Sequence, residues 1–384
     1  MIFRKYFLTY TLIFFTNLLL TRIDFRTSVP SIYSTGDDPN YYFHNQTIAF
    51  DIDLDYSNQS VTTGSDKYYN PKTDTFIPIH PIGSAIFSVP FMFVGKIIED
   101  VFNFENFHYF LYSLSSIFYL FVALKLLLSS VPNFVLLNRQ RKLIYIILFL
   151  NGGLLYFSFE RFGMTHVYEV LCVSILFKLT SNVVKNVYPD LNLFFLGYLS
   201  YAFFLVRFSN YFIFLTPFFY LIITKKKYLI KKIIFNKFFI SGSFLGIISL
   251  ATFLNLLFGK IILNPSILYT PDNNKLNKFL EDEIYSKDLF EFLVFVANSF
   301  RSIFFSFEFG IFFTLPVIFI SVLMFIKFMF NKSFLELISS LLVFSIPFGL
   351  VVFWQTTASS FGYRYLYVLI PYALLVIANN DYPK

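Results

Sequence analysis

Long apolar runs separated by short basic gaps make up most of the chain, and one polar stretch near the beginning interrupts them. The first run follows Arg4 and Lys5 and ends at about Leu20. Its roughly 16 residues fall a little short of the ~20 that cross a bilayer as a helix. No small-x-small site follows it, so an uncleaved first span is predicted rather than a signal peptide. Further runs over about 108–128, 143–159, 164–181, 191–206, 209–224, 238–258, 308–328, 334–353 and 364–380 predict about ten spans in all.

Residues 84–98 form a shorter run broken by Pro90. If it crossed the membrane, the gap holding Arg139, Arg141 and Lys142 would fall outside. As an interfacial helix, it leaves that gap and the six lysines between Lys225 and Lys237 on the cytoplasmic side. Phe292 to Phe305, with Arg301, reads as a second interfacial helix. The expected fold is therefore an all-α polytopic membrane protein with both termini inside and juxtamembrane helices on the outer face. Residues 1–384 read as a single membrane-embedded domain. Residues 24–79 form its first external loop and residues 259–305 its second.

Composition sharpens this reading. Only 14% of residues are charged, against about 25% in an ordinary soluble domain. The net charge of +7 lies in the gaps between spans, which marks membrane orientation rather than nucleic-acid binding. A single cysteine, Cys172, excludes an intrachain disulfide and a cysteine-based metal cluster. No phosphate-cradling glycine loop and no His-Glu-x-x-His pattern is present, and neither a cofactor nor a metal is expected.

The polar stretch is the acidic one. Eight aspartates lie between Asp24 and Ile79, against Arg26, Lys67 and Lys72. Ser34 to Ala49 reads S-T-G-D-D-P-N-Y-Y-F-H-N-Q-T-I-A, where Gly36-Asp-Asp-Pro39 should open a short helix. Pro39 suits the first helical position and Asp38 the N-cap, which leaves Asp37 with no capping duty. An exposed Asp37 is ionised at neutral pH and can take a hydroxyl proton. Asp51-Ile-Asp-Leu-Asp55 alternates acid and apolar residues as a short exposed strand does. The other reading, a calcium loop, lacks the Gly and Glu of an EF-hand.

On the expected topology His80, Glu160, Arg161, His166, Arg207, Arg301, Glu308 and Arg364 approach the same outer face as Asp37 and Asp38. Charges of both signs converging there suggest a polar cavity, although single charges at helix ends also snorkel to water. Trp354 to Pro371 sets Arg364 between Tyr363 and Tyr365. A guanidinium so placed can fork onto a phosphate, or can simply belong to an aromatic interface belt.

These motifs, in this order, resemble those of GT-C glycosyltransferases, in particular the protein O-mannosyltransferase and aminoarabinose-transferase type. Gly36-Asp-Asp-Pro-Asn-Tyr-Tyr42 resembles the acidic motif of their first external loop. His80-Pro-Ile-Gly83 is similar to their His-Pro-Pro-Gly segment, Phe307 to Pro316 to their Arg-Gly-Leu…Ser-Pro stretch, and Phe361 to Tyr365 with Pro371 to a late Gly-x-Arg-Tyr…Pro motif. The resemblance implies a polyprenyl-phosphate sugar donor and a glycan, lipid or protein acceptor. It also implies inversion without a metal, on the outer face of what would be a bacterial inner (plasma) membrane. Asp37 would be the base, aided by Asp38. Arg364 and His80 would stabilise the leaving phosphate, with Tyr363, Tyr365, His166 and Arg207 completing the substrate site. The rival expectation is a transporter or flippase for a lipid or small anion, which should carry its charges near mid-membrane and show paired repeats.

Overall fold

The computed structural model describes residues 37–59, 67–132, 134, 137, 139–150, 153–159, 161–262, 288–306, 309–331, 333–354 and 363–380. The expected first span, Glu160, Glu308, most of the second external loop and most of Trp354 to Tyr363 lie outside these residues.

Helix α1 (Asp38–Gln46) continues into a π-helical turn (Thr47–Asp51) that closes at Ile52, whose φ is 58°. Strands β1 (Lys67–Asn70) and β2 (Thr75–Pro78) pair antiparallel, with Asn70 opposite Thr75. Then come α2 (Gly83–Phe102), α3 (Phe107–Ser130), α4 (Arg139–Leu150), α5 (Leu154–Phe159), α6 (His166–Val184) and α7 (Pro189–Ala202). Two 3-10 turns, Phe203–Leu205 and Tyr211–Leu215, lead to α8 (Thr216–Ile223), α9 (Leu229–Ile234) and α10 (Lys237–Phe258). The rest is α11 (Leu289–Phe305), α12 (Ile311–Thr314), α13 (Pro316–Phe330), α14 (Phe334–Trp354), a 3-10 segment (Arg364–Leu369) and α15 (Ile370–Asn380).

Among the described residues four helices are long and apolar enough to cross a membrane: α3, α6, α10 and the Phe334–Val352 part of α14. The other expected spans that the described residues cover take shorter or interrupted forms. Residues 143–159 divide between α4 and α5, with Gly153 at φ 82° between them. Pro217 and Pro316 each sit in the first turn of a helix, because proline cannot supply the N–H that would continue the preceding one. Residues 84–98 belong to a longer helix than expected, the 20 residues of α2. Its extension carries Glu99, whose carboxylate accepts from the backbone N–H of Asn106 and of His108 at 3.0 and 3.2 Å and so caps the start of α3.

Two local expectations are corrected. Helix α1 begins at Asp38, and neither aspartate caps it: Asp37 occupies the N-cap position without a side-chain capping bond. Arginines elsewhere in the chain hold both carboxylates instead. Asp51 to Asp55 is no strand. It completes the π-helical turn and then bends, because Thr47 Oγ1 donates to the Asp55 carbonyl and folds the segment back on itself.

The core forms around α6 and the chain's last segment. Val167, Leu171, Val173, Leu176 and Phe177 of α6 are buried together with Leu366, Tyr367, Ile370, Tyr372 and Leu375. Tyr372 and Thr216 share a buried hydroxyl–hydroxyl hydrogen bond that ties α15 to α8. Outer helices show the opposite pattern: Phe244, Leu245 and Ile248 of α10 and Leu335, Ile338 and Leu342 of α14 are exposed. A continuous apolar exterior of this kind suits lipid rather than water.

Candidate functional site

The site forms where α1, the turn before α2, the start of α6, the turn after α7 and the 3-10 segment before α15 converge. Asp37 Oδ2 accepts from Arg364 Nη1 at 2.8 Å, and His80 Nε2 stands 3.6 Å from Asp37 Oδ1. These three residues are 327 and 43 positions apart in pairs, so only the fold joins them. Arg207 lies with its guanidinium 4.3 Å from the centre of the Tyr365 ring, while that of Arg364 lies 5.7 Å from the same ring. Tyr365 thus supports both cations by cation–π attraction.

His80 is anchored from behind. His44 is fully buried and its Nε2–H donates to the His80 carbonyl at 2.9 Å. That leaves Nδ1 to accept from Tyr56 Oη at 2.6 Å. Burial lowers the His44 pKa to about 4, so the ring is neutral and this donor order holds at pH 7. Gly83 explains the end of the His-Pro-Ile-Gly sequence: a Cβ there would meet the Leu205 backbone at 2.5 Å. Glycine therefore lets the start of α2 close against the turn that carries Arg207.

Arg207 is fixed by Glu169, which accepts from Arg207 Nη1 at 2.7 Å, Asn210 Nδ2 at 2.8 Å and Thr165 Oγ1 at 2.7 Å. His166 Nδ1 lies 3.1 Å from Arg207 Nη1, and its ring packs on Phe157 and Tyr367. His166 thus stands behind Arg207, one layer away from Asp37. Asp38 faces away from Asp37 and takes Arg161 Nε at 2.5 Å. Gly163 permits this, because a Cβ there would lie 3.2 Å from Asp38 Oδ1 and from Tyr112 Oη.

The two adjacent carboxylates are driven apart. Burial would raise Asp37, but the neighbouring His80, by charge and hydrogen bond, and then Arg364 and Arg207 hold it well below the usual carboxylate range. Burial pushes Asp38 up to about 7, against the pull of Arg161. Asp37 is accordingly the charged member, and Asp38 titrates near neutrality.

Tyr363 turns the other way. Its hydroxyl bonds Ser302 Oγ at 2.8 Å and lines a cavity of about 340 Å³ with Asn298, Ser299, Phe295, Phe309 and others. Of the residues expected in the site, Asp37, His80, Arg207, Arg364 and Tyr365 form one cluster. Asp38 and His166 sit directly behind it, and Tyr363 opens onto the adjoining cavity. Arg301 is exposed on α11 and takes no part. Glu169 was not foreseen from sequence. Its only signal is an acidic residue inside an apolar run, three positions after His166.

No family model, curated protein or solved structure matches the chain. The site is read from its chemistry: an ionised carboxylate lies with an imidazole and two guanidiniums that share the Tyr365 ring, and Tyr363 lines a cavity of hydroxyls, an amide, aromatic rings and aliphatic side chains. Such a set can hold an anion against the arginines and accept a proton at the carboxylate. Among the described residues no three His, Cys, Asp or Glu side chains converge as a metal site would need.

Proposed function

We propose that the chain is a GT-C-like membrane glycosyltransferase that uses a polyprenyl-phosphate sugar. The observation that carries this reading is the Asp37–Arg364 contact at 2.8 Å, with Arg207, His80 and Tyr365 around it. In the proposed reaction an acceptor hydroxyl oxygen attacks the anomeric carbon and its proton passes to Asp37. The bond from that carbon to the phosphate oxygen breaks, and the electron pair leaves with the phosphate. Negative charge grows on the departing group, where Arg364 and His80 stabilise it. Configuration at the anomeric carbon inverts. The Tyr363 cavity is neutral and hydroxyl-lined, which suits an acceptor or sugar ring.

The same proposal has about ten crossings in a bacterial plasma membrane, with Asp37 on the outer side and the Lys225–Lys237 gap inside. The clustering of site charges at helix ends, away from helix middles, supports an enzyme over a transporter.

The test compares cell-envelope glycans by mass spectrometry in cells that lack the gene and in the same cells carrying wild-type or Asp37→Asn protein. Loss of one sugar that wild type restores and Asp37→Asn does not is the expected result. General-base removal should cost about 10²–10⁴-fold in rate. Full restoration by Asp37→Asn would remove the base role and leave transport as the better reading. In reconstituted protein, Arg364→Ala should raise KM for the donor more than for the acceptor. An equal rise in both would count against a phosphate contact.

A further inference from the structure

Three arginines and three carboxylates meet in and behind this site, and each arginine is already matched: Arg161 with Asp38, Arg207 with Glu169 and Arg364 with Asp37. Among the described residues each of these arginines thus already has a carboxylate partner, so a phosphate that binds a guanidinium here takes it from one of the three pairs.

The pairs differ in how firmly they are held. The Asp38 and Glu169 side chains are 3% and 1% exposed, whereas Asp37 and Arg364 are 23% and 15% exposed. Glu169 also accepts from Thr165 and Asn210, so its pairing with Arg207 belongs to a packed network. Breaking a buried pair of that kind strands a charge at several kcal/mol. The Asp37–Arg364 contact is one hydrogen bond through a single guanidinium nitrogen. Arg364 Nε is buried and finds no hydrogen-bond partner among the described residues. Among these residues the guanidinium is only partly used, and its planar edge can serve a bidentate oxyanion.

We propose that the Asp37–Arg364 ion pair is a latch that a phosphate headgroup opens by taking the guanidinium from Asp37. The ion pair protects the carboxylate. While His80 and Arg364 hold Asp37, that carboxylate is a poor proton acceptor, in line with its low proton affinity. Once the guanidinium turns to the phosphate, one of the groups that depress Asp37 is withdrawn and its basicity rises beside the acceptor. The order of binding follows: the phosphate-bearing substrate comes first and the hydroxyl acceptor second. This last step rests on the glycosyltransferase reading, but the exchange of partners at Arg364 does not.

A carboxylate that competes for the phosphate's arginine should weaken phosphate binding. Removing it should therefore tighten binding, an unusual outcome for a variant of the proposed base. The experiment titrates farnesyl monophosphate, inorganic phosphate and farnesol into the full chain in phosphatidylcholine nanodiscs. Variants are Asp37→Asn, Asp37→Ala, Arg364→Ala and the Asp37→Asn/Arg364→Ala pair, each checked for monodisperse elution. Two replacements at position 37 guard against one of them misfolding.

The expected result is farnesyl monophosphate binding at least ~10-fold tighter to both Asp37 variants than to wild type, which is about 1.4 kcal/mol. Arg364→Ala should bind more weakly, and the double variant should show no gain over it. The same gain with inorganic phosphate assigns the latch to the headgroup alone. A gain confined to farnesyl monophosphate assigns it to a lipid-borne phosphate. Farnesol should not distinguish the proteins, and a parallel gain with farnesol would overturn the latch. Equal or weaker phosphate binding by the Asp37 variants, with wild type binding, overturns the latch and leaves the glycosyltransferase reading intact. Phosphate binding by none of the proteins ends both. Tighter binding in cells whose glycans never depended on the gene keeps the latch and removes the enzyme.

Discussion

At the scale of single residues, what matters is which charges are allowed to move. Glu169 is 1% exposed and holds Arg207 through its own network. Glu169→Gln keeps the shape but strands the guanidinium. The expected loss is about 3–5 kcal/mol of stability, seen as a lower thermal unfolding midpoint in detergent. Asp38 gives a pH signature. Its folded pKa of about 7 lies above its ordinary value of 3.8, so the folded state holds the proton more tightly. Stability from this group is present below about 4, falls as pH rises towards about 7, and is flat above that. His44 has the opposite sign: its pKa of about 4 lies below the ordinary 6.5, so its contribution rises with pH across 4 to 6.5. The two slopes oppose each other over nearly the same range. Asp38→Asn should therefore make the midpoint climb more steeply between pH 4 and 6.5 than in wild type. An unchanged slope would mean that Asp38 does not titrate there.

At the scale of elements, glycines decide how closely helices approach. Helices α7 and α10 share the most extensive contact in the fold. A Cβ at Gly242 would lie 2.0 Å from the Phe194 carbonyl oxygen, one at Gly246 2.5 Å from that of Tyr198, and one at Gly197 2.3 Å from that of Phe239. Backbone touches backbone there, as small residues four apart permit between membrane helices. Gly242→Ala gains up to about 1 kcal/mol of helix propensity, but it forces the axes apart at about 1–3 kcal/mol, so a net loss of stability is expected. Gly349 in α14 is the control: a Cβ there meets nothing within 4 Å among the described residues. Gly349→Ala should raise the midpoint slightly or leave it unchanged. A comparable loss in both variants would deny the packing role. The α7–α10 pair also carries the hairpin, since Asn70 Nδ2 donates to the Leu257 carbonyl at 2.9 Å.

At the scale of the whole molecule, orientation is the consequence to test. Cys172 is the chain's single cysteine and is buried, so new surface cysteines report alone. Asp55→Cys and Lys226→Cys replace exposed residues in the acidic and lysine-rich segments. In intact cells an impermeant maleimide should label the first at once and the second only after permeabilisation. The reverse pattern would invert the proposed topology and move the site to the cytoplasmic side.

Much of the site could be read along the chain because polar residues stand out against apolar runs. Asp37, His80, Arg207 and Arg364 declared themselves by occurring where lipid-compatible sequence stops. Hydropathy likewise announced a mostly helical fold with helices long and apolar enough to cross a membrane, since a bilayer leaves few other ways to satisfy a backbone. What hydropathy could not divide was inside from outside. Helices α6 and α10 are similarly apolar, yet α6 packs in the core while α10 shows most of its surface. Lipid and protein interior demand the same residues, so only packing separates them. The pairings of Asp38 with Arg161 and Glu169 with Arg207 were also hidden. Each joins segments whose approach depends on the whole helix arrangement, and no local pattern encodes which carboxylate will meet which cation. Residue chemistry thus specified the groups, whereas their partners, burial and proton affinities were set by folding, because electrostatic energy depends on distance and surroundings in three dimensions.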